Sequence, residues 1–375
     1  MTYKKTLSYC KPKEGIIHLK PDLFVFDDGS PVDANVWFRR RQELANTIIP
    51  HEFGGMPPRH ESVDIIRRAN SRIRDWPGVQ YATYEVDVRF PGSHAISLTL
   101  SLWIPPGEGP FPVLLDGDGC WRYFNDQVIH SILQRGNIAA SVDRTQAAAD
   151  NKDIYRNTGL YRFFPEAEFG VCPAWAWAIH RCVDALITLK EVRSEAIAIT
   201  GHSRGGKTVL LAGATDERIA ITNPNNSGIG GAGLNRLKMK GSEVIDSFFS
   251  SGNIFWFGKE FAAHRYRDTE LPYDNHYLHA LIAPRGLLLT EAYEDHSANP
   301  AGTYAAALSA QRAYQMLGKK EAIGWAYRES GHAHLLEDYT ALLDFMDLHL
   351  HERQLRRDFQ RKLYPNLDEI LGNSQ

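Results

Sequence analysis

The chain has 375 residues, 43% hydrophobic and 23% charged, with a formal net charge of −3 and a pI near 6.6. That composition suits one large α/β domain or two smaller ones, and its near-neutral balance gives no electrostatic reason to expect a nucleic acid or an anionic membrane as partner. Four cysteines (Cys10, Cys120, Cys172 and Cys182) lack the paired spacing of a zinc or redox site, and a core of this size needs no disulfide.

The first 15 residues, MTYKKTLSYCKPKEG, carry no apolar core of a signal peptide, which predicts a cytoplasmic protein without a membrane span. A helix is expected over residues 33–49, and its basic run Arg39-Arg40-Arg41 reads as a solvated face. The Gly/Pro-rich HEFGGMPPRHESV follows as a turn region. Residues 81–90 (YATYEVDVRF) and 95–106 (AISLTLSLWIPP) alternate in polarity and predict two antiparallel strands joined at PGSH. Residues 111–119 (FPVLLDGDG) read as a buried strand running into a glycine-rich loop, and 136–143 (GNIAASVD) as another short apolar run.

Residues 144–170 have no clear period, and an irregular segment of that length is often functional. PAWAWAIHRCVDALITLKEV then shows helical spacing, with its tryptophans in the core. From Ala196 onward strand and helix alternate: AIAIT, GGKTVLLAGA, RIAITN, GLLLTEA, a helix over 303–317, IGWAYRE, and a last helix over 335–350. Short apolar strands alternating with helices imply a mostly parallel sheet covered on both faces. The expected organisation is therefore one α/β domain over 1–375, with a helical and loop extension to about residue 80 and the core over about 81–353.

GHSRG, residues 201–205, matches G-x-S-x-G between a strand and a helix, the context in which that pattern marks a nucleophile. A serine needs a base, and the base an orienting carboxylate. In chain order, YEDHSANP after GLLLTEA offers Asp295, with Glu294 as its rival, and SGHAH after IGWAYRE offers His332, with His334 nearer the final helix. Three loops, each after a predicted strand, thus supply serine, acid and histidine in the order of an α/β-hydrolase. The N–H of Arg204 and a donor from DGDGCW, around Gly119 and Cys120, would form the oxyanion hole. The two aspartates of that loop also admit a cation site. No helix-borne H-E-x-x-H is present, so neither a catalytic zinc nor another cofactor is expected. Arg204 and Lys207 sit at a helix start, where the macrodipole disfavours cations, so something must compensate them.

GHSRGGKT resembles the G-x-S-R-x-G-K motif of the glucuronoyl esterases, carbohydrate esterase family 15. The likeness extends over residues 35–351, through WFRRRQEL, HEFGGMPP, CPAWAWAIHRCVDAL, NNSGIGGAG, IFWFGKEFAAHRYRDTELPYDNHYLHALIAPRGLLL, EDHSANP and SGHAHLLEDY. It implies an α/β-hydrolase fold and cleavage of an ester between a 4-O-methylglucuronoyl unit of xylan and an alcohol. It also implies Ser203 as nucleophile, His332 as base, Arg204 at the oxyanion, and Lys207, Trp256 and Glu243 in substrate binding. On that reading the two cations face developing negative charge and a polar sugar. Many family members carry a glutamate where this chain has Asn226; the alternative acid position is Asp295. Two further readings are a deacetylase or general carboxylesterase with the same triad, and a hydrolase-fold protein that binds sugar without catalysis.

Overall fold

The computed structural model describes residues 19, 21–92, 94–354, 357–364 and 367. Cys10 and the stretch read for a signal peptide lie outside the described residues. Helix α1 (Trp37–Phe53) starts and ends four residues later than expected, and Gly54 caps it at φ 74°. The Gly54 N–H donates to Pro50 O and the Gly55 N–H to Ile49 O, closing the last turn. The basic run on α1 is a solvated face only at Arg39, whose side chain is 54% exposed. Arg40 is 2% exposed and pairs with Asp27 and Glu43, both at 2.8 Å, while Arg41 reaches Glu217 at 2.6 Å. Arg40 also donates to the carbonyls of Asp22 and Leu23, so it ties the leading segment to the helix.

Strand β1 (Ser62–Arg72) falls inside the region expected to be helix and loop. It pairs antiparallel with β2 (Gln80–Phe90), which pairs antiparallel with β3 (His94–Ile104), Val86 facing Leu98. Most of β1 is exposed, so it has no apolar alternation to reveal it; the pairing comes from the backbone edge of β2. The chain continues through β4 (Phe111–Asp116), α2 (Asp126–Gln134), β5 (Ile138–Val142), α3 (Val171–Leu186), β6 (Val192–His202) and α4 (Arg204–Thr215). Then follow β7 (Ile219–Asn225), α5 (Ile245–Ser250), α6 (Lys259–Ala263), α7 (His276–Ile282), β8 (Gly286–Ala292), α8 (Pro300–Met316), β9 (Ile323–Arg328) and α9 (Leu336–Leu350). Among the described residues the sheet has nine strands in the order β1-β2-β3-β5-β4-β6-β7-β8-β9, parallel from β5 to β9.

The central strands alternate between two cores. On β4, Val113 and Leu115 join the core with α3 and α4, whereas Leu114 joins the one with α2 and α9; on β8, Leu287 and Leu289 divide from Leu288 in the same way. Trp175 is fully buried and Trp177 is 3% exposed, as their helical spacing predicts. The core also outruns its expected end at residue 353. Phe359 and Tyr364 are buried, and the Trp325 N–H donates to Phe359 O at 2.8 Å. No described helix is long and apolar enough to cross a membrane.

Candidate active site

The carboxyl ends of parallel strands expose loops that a continuous sheet holds at fixed spacing. Three of these loops carry the serine, acid and histidine expected from the sequence. Ser203 stands between β6 and α4 at φ 56°, ψ −120°, a strained backbone for a residue with a Cβ. The turn is possible because its neighbours lack side chains. A Cβ on Gly205 would overlap the Asp118 carboxylate, and one on Gly201 would lie 2.6 Å from Gly205 O. Asp295 follows β8 and His332 follows β9.

Ser203 Oγ lies 3.0 Å from His332 Nε2, and His332 Nδ1 lies 2.5 Å from Asp295 Oδ2. An ionised carboxylate can only accept, so Nδ1 carries the proton and the Nε2 lone pair faces the serine hydroxyl. Burial raises the Asp295 pKa, but hydrogen bonds from His332, Ser297 and Asn226 outweigh it and hold the group at about 2. Glu294, the rival acid, points to solvent. His334, the rival base, is buried against Tyr339, with ring centroids 4.1 Å apart and Nδ1 3.0 Å from the tyrosine hydroxyl. Burial pushes its pKa well down, so it stays neutral and structural.

The loop carrying His332 is clamped from beneath. Arg328 donates to Gly331 O at 3.3 Å and to Ala333 O, and binds both oxygens of Asp338 at 2.9 Å. His202, next to the nucleophile, donates Nδ1–H to Asn225 Oδ1 at 2.6 Å. Burial, opposed by that hydrogen bond and reinforced by the nearby His332, lowers its pKa to about 4.

The DGDGCW loop abuts the nucleophile turn. Asp118 Oδ2 accepts from the His202 N–H at 2.6 Å, and Oδ1 binds Arg144 Nη1 at 2.5 Å in a fully buried ion pair. Arg144 thus takes the place of the cation that two aspartates suggested. Among the described residues no group of three or more His, Cys, Asp or Glu could hold a metal ion. Cys120, Cys172 and Cys182 are free thiols, and Cys120 Sγ accepts from Arg144 Nη1 at 2.7 Å.

The cations at the helix start are compensated by the protein's own acids. Arg204 Nη1 binds Asp150 Oδ2 at 3.0 Å, and its guanidinium lies 4.4 Å from the Trp256 ring centroid. Lys207 is 2% exposed and donates to Ser227 O (2.5 Å), Ile229 O (2.7 Å) and Glu243 Oε2 (3.1 Å). Of the three residues expected to bind substrate, Lys207 and the 4%-exposed Trp256 are buried, whereas Glu243 keeps 31% of its side chain exposed. Arg144, Asp150 and Arg328 escaped the sequence reading, and Trp121 entered it only as the last residue of DGDGCW; Arg144 and Asp150 fall in the irregular 144–170 segment.

A serine activated by a histidine–aspartate pair on such a sheet defines a serine hydrolase of the α/β-hydrolase class. Comparison narrows the class. The family profile described as glucuronyl esterase of fungi matches residues 86–318. A 4-O-methyl-glucuronoyl methylesterase of Schizophyllum commune is 30% identical over 324 residues, covering 84% of this chain and 77% of its own. A glucuronoyl esterase of carbohydrate esterase family 15 from Caldicellulosiruptor kristjansonii superposes with a TM-score of 0.80 at 29% identity, over 95% of this chain and 97% of its own. A Sporotrichum thermophile glucuronoyl esterase variant in complex with methyl 4-O-methyl-β-D-glucopyranuronate shares the fold, with a TM-score of 0.72 at 23% identity over 94% of this chain and 93% of its own. The chain belongs to the glucuronoyl esterase family, carbohydrate esterase family 15, and is a carboxylic ester hydrolase.

Proposed function

We propose that this enzyme hydrolyses the ester of a (4-O-methyl)glucuronoyl unit through an acyl-enzyme on Ser203. The observation that carries the proposal is the continuous Ser203–His332–Asp295 relay, at 3.0 and 2.5 Å, in a chain of this family. His332 Nε2 takes the Ser203 proton as Oγ attacks the acyl carbon, and Asp295 stabilises the imidazolium. The oxyanion is met by the N–H of Arg204, a first-turn helix donor with no intrahelical partner, and by its guanidinium. Gly119 and Cys120 sit on the facing loop and supply the second backbone donor. The C–O bond to the alcohol then breaks, and His332 returns the proton to the leaving oxygen. A water deprotonated by His332 attacks the acyl-enzyme and frees Ser203 and the uronic acid.

The uronate sugar is read by Glu243, the exposed acid of its pair, with Lys207 behind it as counter-charge, and Trp256 backs the wall against Arg204. The name of the Schizophyllum relative and the sugar bound to the Sporotrichum enzyme support this substrate over an acetyl ester. The test is a panel of methyl glucuronate, benzyl glucuronate, acetylated xylose and p-nitrophenyl acetate, with wild type and Ser203→Ala. Glucuronoyl esters should show the highest kcat/KM, and the variant should lose ~10⁴–10⁶ of kcat. Faster cleavage of acetylated xylose would replace the proposal with a deacetylase.

A further inference from the structure

Two guanidinium groups and three indoles meet in one cluster that adjoins the Ser203 turn. Arg144 is fully buried, 4.5 Å from the Trp175 ring centroid and 4.4 Å from that of Trp121. Arg204 lies 5.4 Å from the same Trp121 ring and 4.4 Å from Trp256. Two like charges this close, in surroundings of low polarity, need two counter-charges. Asp118 meets Arg144 at 2.5 Å, and Asp150 serves both cations, its Oδ2 lying 3.6 Å from Arg144 Nη2 and 3.0 Å from Arg204 Nη1. The other Asp150 oxygen accepts from Trp256 Nε1 at 3.3 Å, which fixes the rotation of the carboxylate.

This cluster reaches Ser203 by two routes. Asp118 accepts the N–H of His202, one residue before the nucleophile, and Arg204 follows it by one. Asp150 occupies only Nη1 of Arg204; the Nε of that guanidinium is buried and has no acceptor among the described residues. Asp150, Trp121 and Trp256 thus hold the Arg204 guanidinium directly, and Arg144, anchored by Asp118, holds Asp150 from the other side.

We propose that Asp150, backed by Arg144, is a positioning residue for the esterase reaction: it holds the Arg204 guanidinium in the orientation that receives the developing acyl oxyanion. The inference rests on the reading of the chain as a serine esterase with Arg204 at the oxyanion. Preorganisation of this kind acts on kcat, because the donor needs no reorientation as charge appears.

The experiment is a double-mutant cycle of Asp150→Asn and Arg204→Ala, read as kcat and KM on methyl glucuronate and on p-nitrophenyl acetate. Asp150→Asn keeps the shape of the side chain and removes its charge. It should lower kcat by about tenfold or more with little change in KM, and Arg204→Ala by about 10²–10³. In the Arg204→Ala background, adding Asp150→Asn should cost less than about twofold. Equal losses in both backgrounds, or a loss of thermal stability with kcat unchanged, would overturn the proposal. If Asp150→Asn does not fold, Trp256→Phe keeps an aromatic ring against Arg204 and deletes the donor to Asp150 Oδ1 together with part of the indole volume; the same non-additivity is then required of it. Hydrolysis of p-nitrophenyl acetate alone would refute the glucuronoyl substrate yet leave the cycle readable, so the two failures are distinguishable.

Discussion

The side-chain amide of Asn226 donates to Asp295 Oδ2 at 2.7 Å, the oxygen that also receives His332 Nδ1–H at 2.5 Å. The Asn226 amide therefore supports the Asp295 carboxylate instead of supplying a second acid. Asp295→Asn should cost ~10⁴ in kcat, because the imidazole loses both its tautomer lock and its counter-charge. Glu294→Gln should leave kcat within about twofold, an exposed surface change of the usual size. Adding Asn226→Glu to Asp295→Asn should restore part of the rate, since a longer acid from the same backbone position reaches the same imidazole. Steady-state kinetics decide it: no recovery would mean that the two acid positions are not interchangeable here.

Two neighbouring acids on and after β8 impose opposite pH dependences on stability. Asp295 is held at about 2, so its contribution is complete above the unfolded value of ~3.9 and is lost as pH falls toward 2. Glu291 is fully buried; burial and the Asp295 charge push its pKa well up, so the fold favours its protonated form. Stability from that group is complete below the unfolded value of ~4.3 and declines as pH rises above it. Glu291→Gln should remove the decline, so its advantage over wild type in thermal melts should grow from pH 4 to pH 8. Loss of turnover in this variant would instead make Glu291 the acid of the relay.

His332→Ala should be as damaging as loss of the serine, ~10⁴–10⁶ in kcat, with little change in stability because its side chain is 42% exposed. His334→Ala should reverse the pattern. It opens a cavity against Tyr339 and Tyr123 and leaves the Tyr339 hydroxyl without its partner, at ~2–4 kcal/mol, while kcat falls far less. Kinetics and chemical denaturation on the same two proteins check both halves; a larger kcat loss in His334→Ala would reassign the base.

The parallel half of the sheet and the triad were legible because their determinants are local: apolar runs of strand length, a G-x-S-x-G at a strand end, and acid and histidine just past two later strands. β1 was not, since its residues are mostly exposed and its place is set by backbone pairing with the edge of β2, the next strand, rather than by an apolar pattern of its own. The fate of Arg40, Arg144, Arg204 and Lys207 was equally hidden. A sequence shows a cation but not the carboxylate that meets it, and Asp27, Asp118, Asp150 and Glu243 stand 13, 26, 54 and 36 residues away.

The opening of α4 gives the clearest reversal of a sequence expectation. If Lys207 projected its ammonium into an open sugar site, Lys207→Met would relieve an unfavourable helix-terminus charge and leave the fold as stable or more so. The side chain is instead 2% exposed, and its donors are engaged by Ser227 O, Ile229 O and Glu243. Met fills much of the stem volume but leaves both carbonyls and the Glu243 carboxylate without their partner. Each buried group so orphaned costs ~1–3 kcal/mol. Lys207→Met should therefore lose about 2 kcal/mol or more of stability, and Lys207→Met with Glu243→Gln should lose less than the sum of the two single changes, because no unpaired charge remains. On activity, if Glu243 reads the sugar as proposed, the glucuronoyl ester should suffer more than p-nitrophenyl acetate, since Lys207 holds the Glu243 carboxylate at 3.1 Å. Differential scanning calorimetry and kcat/KM on the two esters test this together. A melting temperature at or above that of wild type would return the ammonium to the substrate side of the pocket.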